Sequence, residues 1–182
     1  PLGLGHAVWC ARDLVGDEPF AVLLPDMLHE GETPCLADMI KERAQHGGQV
    51  IAAYEVPNHE THRYGILDLH GETKGTPRIH AMIEKPQKGK APSNFAISGR
   101  YILSPEIFDV LEHQPRGAGG EIQLTDGIAG LLGQESVLAY AYRGKRYDCG
   151  SKQGFLQATV ELALEHPEVG AEFRAYLSQL SF

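Results

Sequence analysis

Apolar and polar positions alternate along this chain in a way that predicts strands and helices in turn. Phe20-Ala21-Val22-Leu23-Leu24 is an unbroken apolar run stopped by Pro25-Asp26, which predicts a buried central strand with a carboxylate just past its end. Thr33-Pro34 then reads as a helix cap and first helical position. Leu36, Met39, Ile40 and Arg43/Ala44 follow at helical spacing up to Gly47-Gly48, so a helix is expected over 34–46. A second strand is expected from Gln49 to Val56. Two more, at 64–68 and 78–84, flank a Gly-rich connection at 71–77, and Phe95 to Leu103 forms a further strand. Short helices are expected after Pro105 and over 122–132, with a late strand from Val137 to Tyr142. From Ser151 the pattern is helical. Phe155, Thr159 and Leu162/Ala163 make one stripe, and Val169, Phe173, Tyr176/Leu177 and Leu180 another. Strands and helices alternate first and hairpin-like strands follow, which predicts an α/β fold with a mixed sheet. A single domain over 1–182 is expected, ending in a helical segment over 151–182.

Composition narrows the class. The chain has 182 residues, 42% of them hydrophobic and 22% charged, as in an ordinary globular domain with a real core. Its formal net charge is 16 − 24 = −8. Nucleic acid and anionic membranes need a basic face and are therefore not expected as partners, whereas a small phosphorylated ligand needs only a few local cations. No apolar run approaches the length of a membrane span. The three cysteines, Cys10, Cys35 and Cys149, lack metal-ligand spacing and are expected as reduced thiols, which points to the cytoplasm.

Five short words carry charged residues beside Gly or Pro at the ends of apolar runs, where α/β folds place their chemistry. They are Leu-Pro-Asp at 24–26, Glu-Lys-Pro at 84–86, Ser-Gly-Arg-Tyr at 98–101, Gly-Glu-Ile-Gln-Leu-Thr-Asp at 120–126 and Tyr-Asp-Cys-Gly-Ser-Lys at 147–152. Asp26 suits a divalent ion over a nucleotide's phosphates, or equally a cap on the following turn. Glu84 and Lys85 diverge in an extended strand unless a break re-aims them, and Pro86 favours such a break. Re-aimed, Glu84 suits vicinal sugar hydroxyls and Lys85 a phosphate. A solvated charge pair is the other reading. Gly99 marks a bulge within its strand, and Arg100 reads as a surface charge or a phosphate ligand. Asp148 is either a second metal candidate or a partner for the helix that Ser151 opens.

Taken in order, these words resemble the bacterial UTP–glucose-1-phosphate uridylyltransferases (UDP-glucose pyrophosphorylases). The resemblance covers nearly all of 3–180. It includes Gly3-Leu4-Gly5-His6-Ala7-Val8, Val15-Gly16-Asp17-Glu18-Pro19, Ala91-Pro92-Ser93-Asn94, Gly99-Arg100-Tyr101-Ile102-Leu103 and His166-Pro167-Glu168-Val169-Gly170. It implies a nucleotide-diphospho-sugar transferase (Rossmann-like) α/β/α sandwich, with a small extra sheet and terminal helices that help a homodimer or homotetramer form. It also implies roles residue by residue. Gly3 approaches the uracil or ribose with its backbone, Asp26 and Asp148 hold Mg²⁺, and Gly65 lies against the sugar. Glu84 accepts from glucose hydroxyls, Lys85 meets the sugar phosphate, and Lys152 is a lesser candidate. The reaction implied joins UTP and glucose 1-phosphate into UDP-glucose with release of pyrophosphate. Asp26 and Lys85 are its expected catalytic residues. The alternatives are a thymidylyltransferase for the same sugar phosphate and a non-catalytic sugar-phosphate-binding or assembly fragment. The family's Gly-rich triphosphate loop, Gly-x-Gly-Thr-Arg, has no match in the chain. The chain is therefore expected to correspond to the C-terminal two-thirds of such an enzyme and to be inactive and poorly stable alone, with the strand at 20–24 left without a neighbour.

Overall fold

The structure, a computed structural model, describes residues 2–71 and 74–181. Two residues of the expected Gly-rich connection, Glu72 and Thr73, and the chain ends Pro1 and Phe182 lie outside them. The chain divides into two compact units, one of Pro1–Leu24 and Gly31–Arg143, the other of Pro25–Glu30 and Gly144–Phe182.

The first unit is built on a six-stranded sheet. Its strands are β1 (Phe20–Leu23), β3 (Gln49–Glu55), β4 (Gly65–Asp68), β5 (Ala81–Glu84), β6 (Phe95–Leu103) and β7 (Val137–Ala141). The order is β5-β4-β6-β3-β7, with β1 beside β6. Only β3 and β7 pair in parallel; the other pairs are antiparallel. The helices α1 (Leu4–Trp9), α2 (Arg12–Val15), α3 (Cys35–His46), α4 (Ile107–His113) and α5 (Leu124–Leu131) complete the unit.

The layering follows from the period of two along β3. Ile51 and Ala53 face a core that includes Val8, Ile107, Leu111, Leu124 and Ile128, so α1, α4 and α5 cover that side. Val50 and Ala52 face Cys35 and Met39 of α3 on the other. A strand covered on both faces carries apolar residues at every position, which is why Val50-Ile51-Ala52-Ala53 reads as a continuous run. Burying a Leu or Ile side chain in such a core stabilises by about 1.5–3 kcal/mol. The strand β6 shifts register against β3 between Ile51/Ala53. Gly99 sits in that irregularity with φ 65°, so the bulge expected there is present. Arg100 donates to the Leu24 and Gly99 carbonyls at 2.9 and 3.0 Å, tying down the end of β1.

Several expectations are corrected. The strand at 20–24 is not a buried central strand, because its burial alternates and Ala21 and Leu23 are exposed. Nor is it without a neighbour, since Phe20–Leu23 pairs along its whole length with β6. Thr33 does not cap α3: the cap position is Pro34, and Thr33 donates instead to Asp38 at 2.7 Å. The short helices α1 and α2 were not anticipated.

The second unit holds β2 (Met27–Glu30), β8 (Lys145–Asp148), α6 (Lys152–Glu165) and α7 (Gly170–Leu177). The strands pair antiparallel, with Met27 opposite Asp148 and Glu30 opposite Lys145. The hydroxyl of Tyr147 lies 3.1 Å from carboxylate oxygens of both Glu30 and Glu161, and Lys145 pairs with Glu161, so β8 is fastened to α6. Here too the pattern misled. Phe155 and Leu156 are 57% and 62% exposed, while the buried residues of α6 are the small Gly154 and Ala158. The resemblance implied a small extra sheet, but its strands at 27–30 and 145–148 were not picked out from the apolar pattern.

Candidate active site

The sequence-derived candidates fall into two groups, one in each unit. In the first unit, Gly65 opens β4 and Glu84 closes β5, and they are register partners across the strand pair. The break expected at Pro86 comes one residue earlier: Lys85 has φ 46°, a left-handed conformation that few non-glycine residues adopt. Its backbone N–H donates to the Tyr64 carbonyl at 3.0 Å, which holds the turn. The break brings the two side chains together instead of to opposite faces, with Lys85 Nζ 3.3 Å from Glu84 Oε1. The Glu84 side chain is 12% exposed and that of Lys85 53%. The carboxylate is therefore held within the protein while the ammonium reaches solvent.

A third partner comes from α5. Thr125, buried in the first turn of that helix, donates its hydroxyl to Glu84 Oε2 at 2.7 Å. Gly65 completes the arrangement by lacking a side chain. A Cβ there would stand 2.8 Å from Ile97 Cδ1 and 3.0 Å from both Glu84 Oε2 and Thr125 Oγ1. The next residue, Asp126, has its pKa raised above the usual carboxylate range, first by burial and then by the negative charge of Glu84. Neither Thr125 nor Asp126 was singled out from the sequence. The signal available was their position at a helix start within Gly-Glu-Ile-Gln-Leu-Thr-Asp.

Gly3 lies against the backbone leading into α5. Its φ is 111°, and a Cβ would fall 2.6 Å from the Ile122 carbonyl oxygen. The flanking hydrogen bonds, Gly5 N–H to Ile122 O at 2.8 Å and Ile122 N–H to Leu2 O at 2.7 Å, pin the two segments together. Glycine at position 3 thus has a packing reason in this fold.

In the second unit the ribbon register brings Asp26 and Asp148 together. Cys149 N–H donates to the Asp26 carbonyl at 2.7 Å. A Cβ on Gly150 would stand 2.9 Å from Asp26 Oδ2 and 3.2 Å from Asp148 Oδ1. Both carboxylates therefore converge on the space that Gly150 leaves open. Ser151 follows as the cap of α6, its Oγ accepting from Gly154 N–H at 3.0 Å. Lys152 is the exposed first residue of that helix. Among the described residues no group of three or more His, Cys, Asp or Glu is disposed to hold a metal ion. Two hard oxygen donors converging on one open space nevertheless fit Mg²⁺, which commonly takes one or two carboxylates and completes its shell with water and substrate phosphates.

This combination, a mixed sheet layered between helices with charged loop words at its strand ends, is matched by known proteins. The chain belongs to the nucleotidyl transferase family, which it matches over residues 1–165. Within that family it is 48% identical to the UTP–glucose-1-phosphate uridylyltransferase of Bacillus subtilis (strain 168) over 180 residues, 99% of this chain and 62% of the relative. It is 46% identical to the Staphylococcus epidermidis enzyme of the same name over 178 residues, 98% of this chain and 62% of the relative. Its fold superposes on the UTP-bound UGPase from Acinetobacter baumannii with a TM-score of 0.90 at 41% identity, covering 100% of this chain and 63% of that one. The expected α/β nucleotidyltransferase fold is therefore present. The chain spans about 62% of the length of the curated relatives it matches. No helix among the described residues is long and apolar enough to cross a membrane.

Proposed function

We propose that this protein acts in uridylyl transfer, joining UTP and glucose 1-phosphate into UDP-glucose with release of pyrophosphate. The observation that carries this reading is the similarity to uridylyltransferases at 46–48% identity along almost the whole chain. The uridylyl rather than the thymidylyl reading rests on the names of those relatives. In this reading Glu84, Gly65 and Lys85 form the sugar side. Glu84 accepts from glucose hydroxyls, the absent side chain of Gly65 leaves room for the ring, and Lys85 meets the sugar phosphate as a point charge. Gly3 contributes its backbone beside the nucleoside. Asp26 and Asp148 would hold Mg²⁺ at the space left by Gly150, with Lys152 nearby as a further cation. When bound, Mg²⁺ supplies positive charge to the phosphates. The remaining work of the chain is positioning: both reactants are anionic, and holding them in line is worth roughly 7–11 kcal/mol of barrier. A homodimer or homotetramer and a cytoplasmic setting complete the proposal.

The test is UDP-glucose formation from UTP, glucose 1-phosphate and Mg²⁺. It is measured for the 182 residues alone and for the same chain carrying the N-terminal strand and Gly-rich loop of a curated relative ahead of Pro1. The fusion is expected to make UDP-glucose and the chain alone is not, because no Gly-x-Gly-Thr-Arg loop occurs within it. A well-folded fusion that binds neither substrate nor forms product would overturn the reading.

A further inference from the structure

Each oxygen of the Glu84 carboxylate has a different partner, and its side chain is only 12% exposed. Oε1 faces Lys85 Nζ at 3.3 Å, and Oε2 accepts from Thr125 Oγ1 at 2.7 Å. These contacts come from two directions, one along the chain and one from α5. A hydroxyl-to-carboxylate bond of 2.7 Å is charge-assisted and stronger than a neutral one. It is also rigidly mounted. Thr125 is buried in the first turn of α5, and β-branching leaves its χ1 few choices. Gly65 leaves this bond uncrowded, because a Cβ there would stand 3.0 Å from both Glu84 Oε2 and Thr125 Oγ1. The burial and charge that raise the Asp126 pKa show that Glu84 presents its charge toward the start of the same helix.

We propose that Thr125 is a positioning residue that sets sugar specificity: by holding Glu84 Oε2, it aims the remaining acceptor directions of that carboxylate and so selects the stereochemistry of the hexose phosphate. This rests on the sugar-side reading of Glu84. Thr125 itself donates its proton to Glu84, so it acts through that residue. A carboxylate free to rotate would accept from either epimer of a vicinal diol, whereas one fixed at both oxygens accepts along set directions. Loss of Thr125 should therefore erode discrimination more than it erodes the fold.

The experiment is a double-mutant cycle on the 182-residue chain. Glucose 1-phosphate and galactose 1-phosphate are titrated calorimetrically onto wild type, Thr125→Val, Glu84→Gln and the double variant, with Thr125→Ser as the conservative rescue. Thermal melts confirm that each is folded, and Thr125→Ala replaces Thr125→Val if the latter is not. Removing the hydroxyl should weaken glucose 1-phosphate binding about tenfold to a hundredfold, the scale of a lost hydrogen bond to a charged group. It should also narrow the gap between the two epimers. Thr125→Ser should restore both affinity and preference to within about threefold, since the donor is retained. In the Glu84→Gln background, Thr125→Val should add little, because residues acting through one contact are not additive. Wild type that binds glucose 1-phosphate while Thr125→Val binds it equally well, or while the two single effects simply add, overturns the positioning role. Wild type that binds neither sugar phosphate overturns the sugar-side reading of Glu84, and the role of Thr125 in specificity falls with it.

Discussion

The two groups of candidate residues are built on opposite principles. Around Glu84 the fold supplies every partner: a register neighbour without a side chain, a backbone turn at Lys85 and a hydroxyl from α5. The carboxylate is almost fully enclosed before any ligand arrives. Around Gly150 the fold brings two carboxylates, Asp26 and Asp148, toward one open space. Like charges at such range repel, so this arrangement gains from a cation placed between them. One group is set in shape, with its carboxylate held at both oxygens; the other is set in charge, with two carboxylates directed at one space.

This contrast can be broken most severely at the charge-defined end. In the active fusion, Asp26→Asn is expected to cut turnover roughly 10²-fold or more, the scale of losing a transition-state charge stabiliser. It should also alter the Mg²⁺ dependence measured by pyrophosphate release, and an unchanged Mg²⁺ optimum with near-normal turnover would refute the assignment. At the shape-defined end, Lys85→Ala should weaken all sugar phosphates alike by about 1.5–3 kcal/mol, while Glu84→Gln should mainly change the preference among hexoses. Calorimetric titration separates the two, and unchanged glucose 1-phosphate affinity in Lys85→Ala would mean the roles are misassigned.

Gly65→Ala tests shape without touching charge. Its Cβ would meet Ile97, Glu84 and Thr125 within 3.0 Å, and overpacking of this kind typically costs about 1–3 kcal/mol. A lowered urea midpoint with weakened sugar binding is expected; a midpoint equal to wild type would show that the pocket yields. The smallest effect is expected at Asp126. Its pKa is raised above the ordinary value of 3.8 by burial and by Glu84, so the folded state holds the proton more tightly than the unfolded state. Stability is then lost as pH rises from about 3.8 through the raised value. Asp126→Asn removes that loss. Its melting temperature should exceed wild type by a little at pH 7, with the gap closing as pH falls below 3.8. A gap that widens on acidification would contradict the sign.

Legibility from sequence followed burial. The strands β3 and β6 and the helices α3, α4 and α5 were readable because their apolar residues do face the core. The strands of the ribbon were not, because Met27-Leu28-His29-Glu30 and Lys145-Arg146-Tyr147-Asp148 each bury only one residue, Met27 and Tyr147, and these lie on opposite faces among charged neighbours, so no apolar alternation marks them. The apolar stripes read on α6 and α7 are real in spacing, yet Phe155 and Tyr176 on them face outward. At the candidate site, the words Glu-Lys-Pro and Leu-Pro-Asp were conspicuous by composition. Their partners were not: Thr125 lies 41 residues from Glu84 in sequence, and only the fold reveals that they share a hydrogen bond. The left-handed turn at Lys85 was foreseeable in kind from Pro86, but its placement one residue earlier was not.

The pairing of Glu30 with Lys145 also bears on how the chain acquires its structure. The ribbon joins two segments far apart in the chain, with the Gly31–Arg143 part of the first unit threaded between them. Closing so long a loop in an unfolded chain carries a large entropic penalty. The condensed first unit shortens the search by collapsing the intervening chain. Contacts this remote in sequence form slowly, and during synthesis β8 leaves the ribosome long after β2. The carboxylate pair beside Gly150 should therefore be among the last features to assemble, and the proposed Mg²⁺ site would form only once folding is complete.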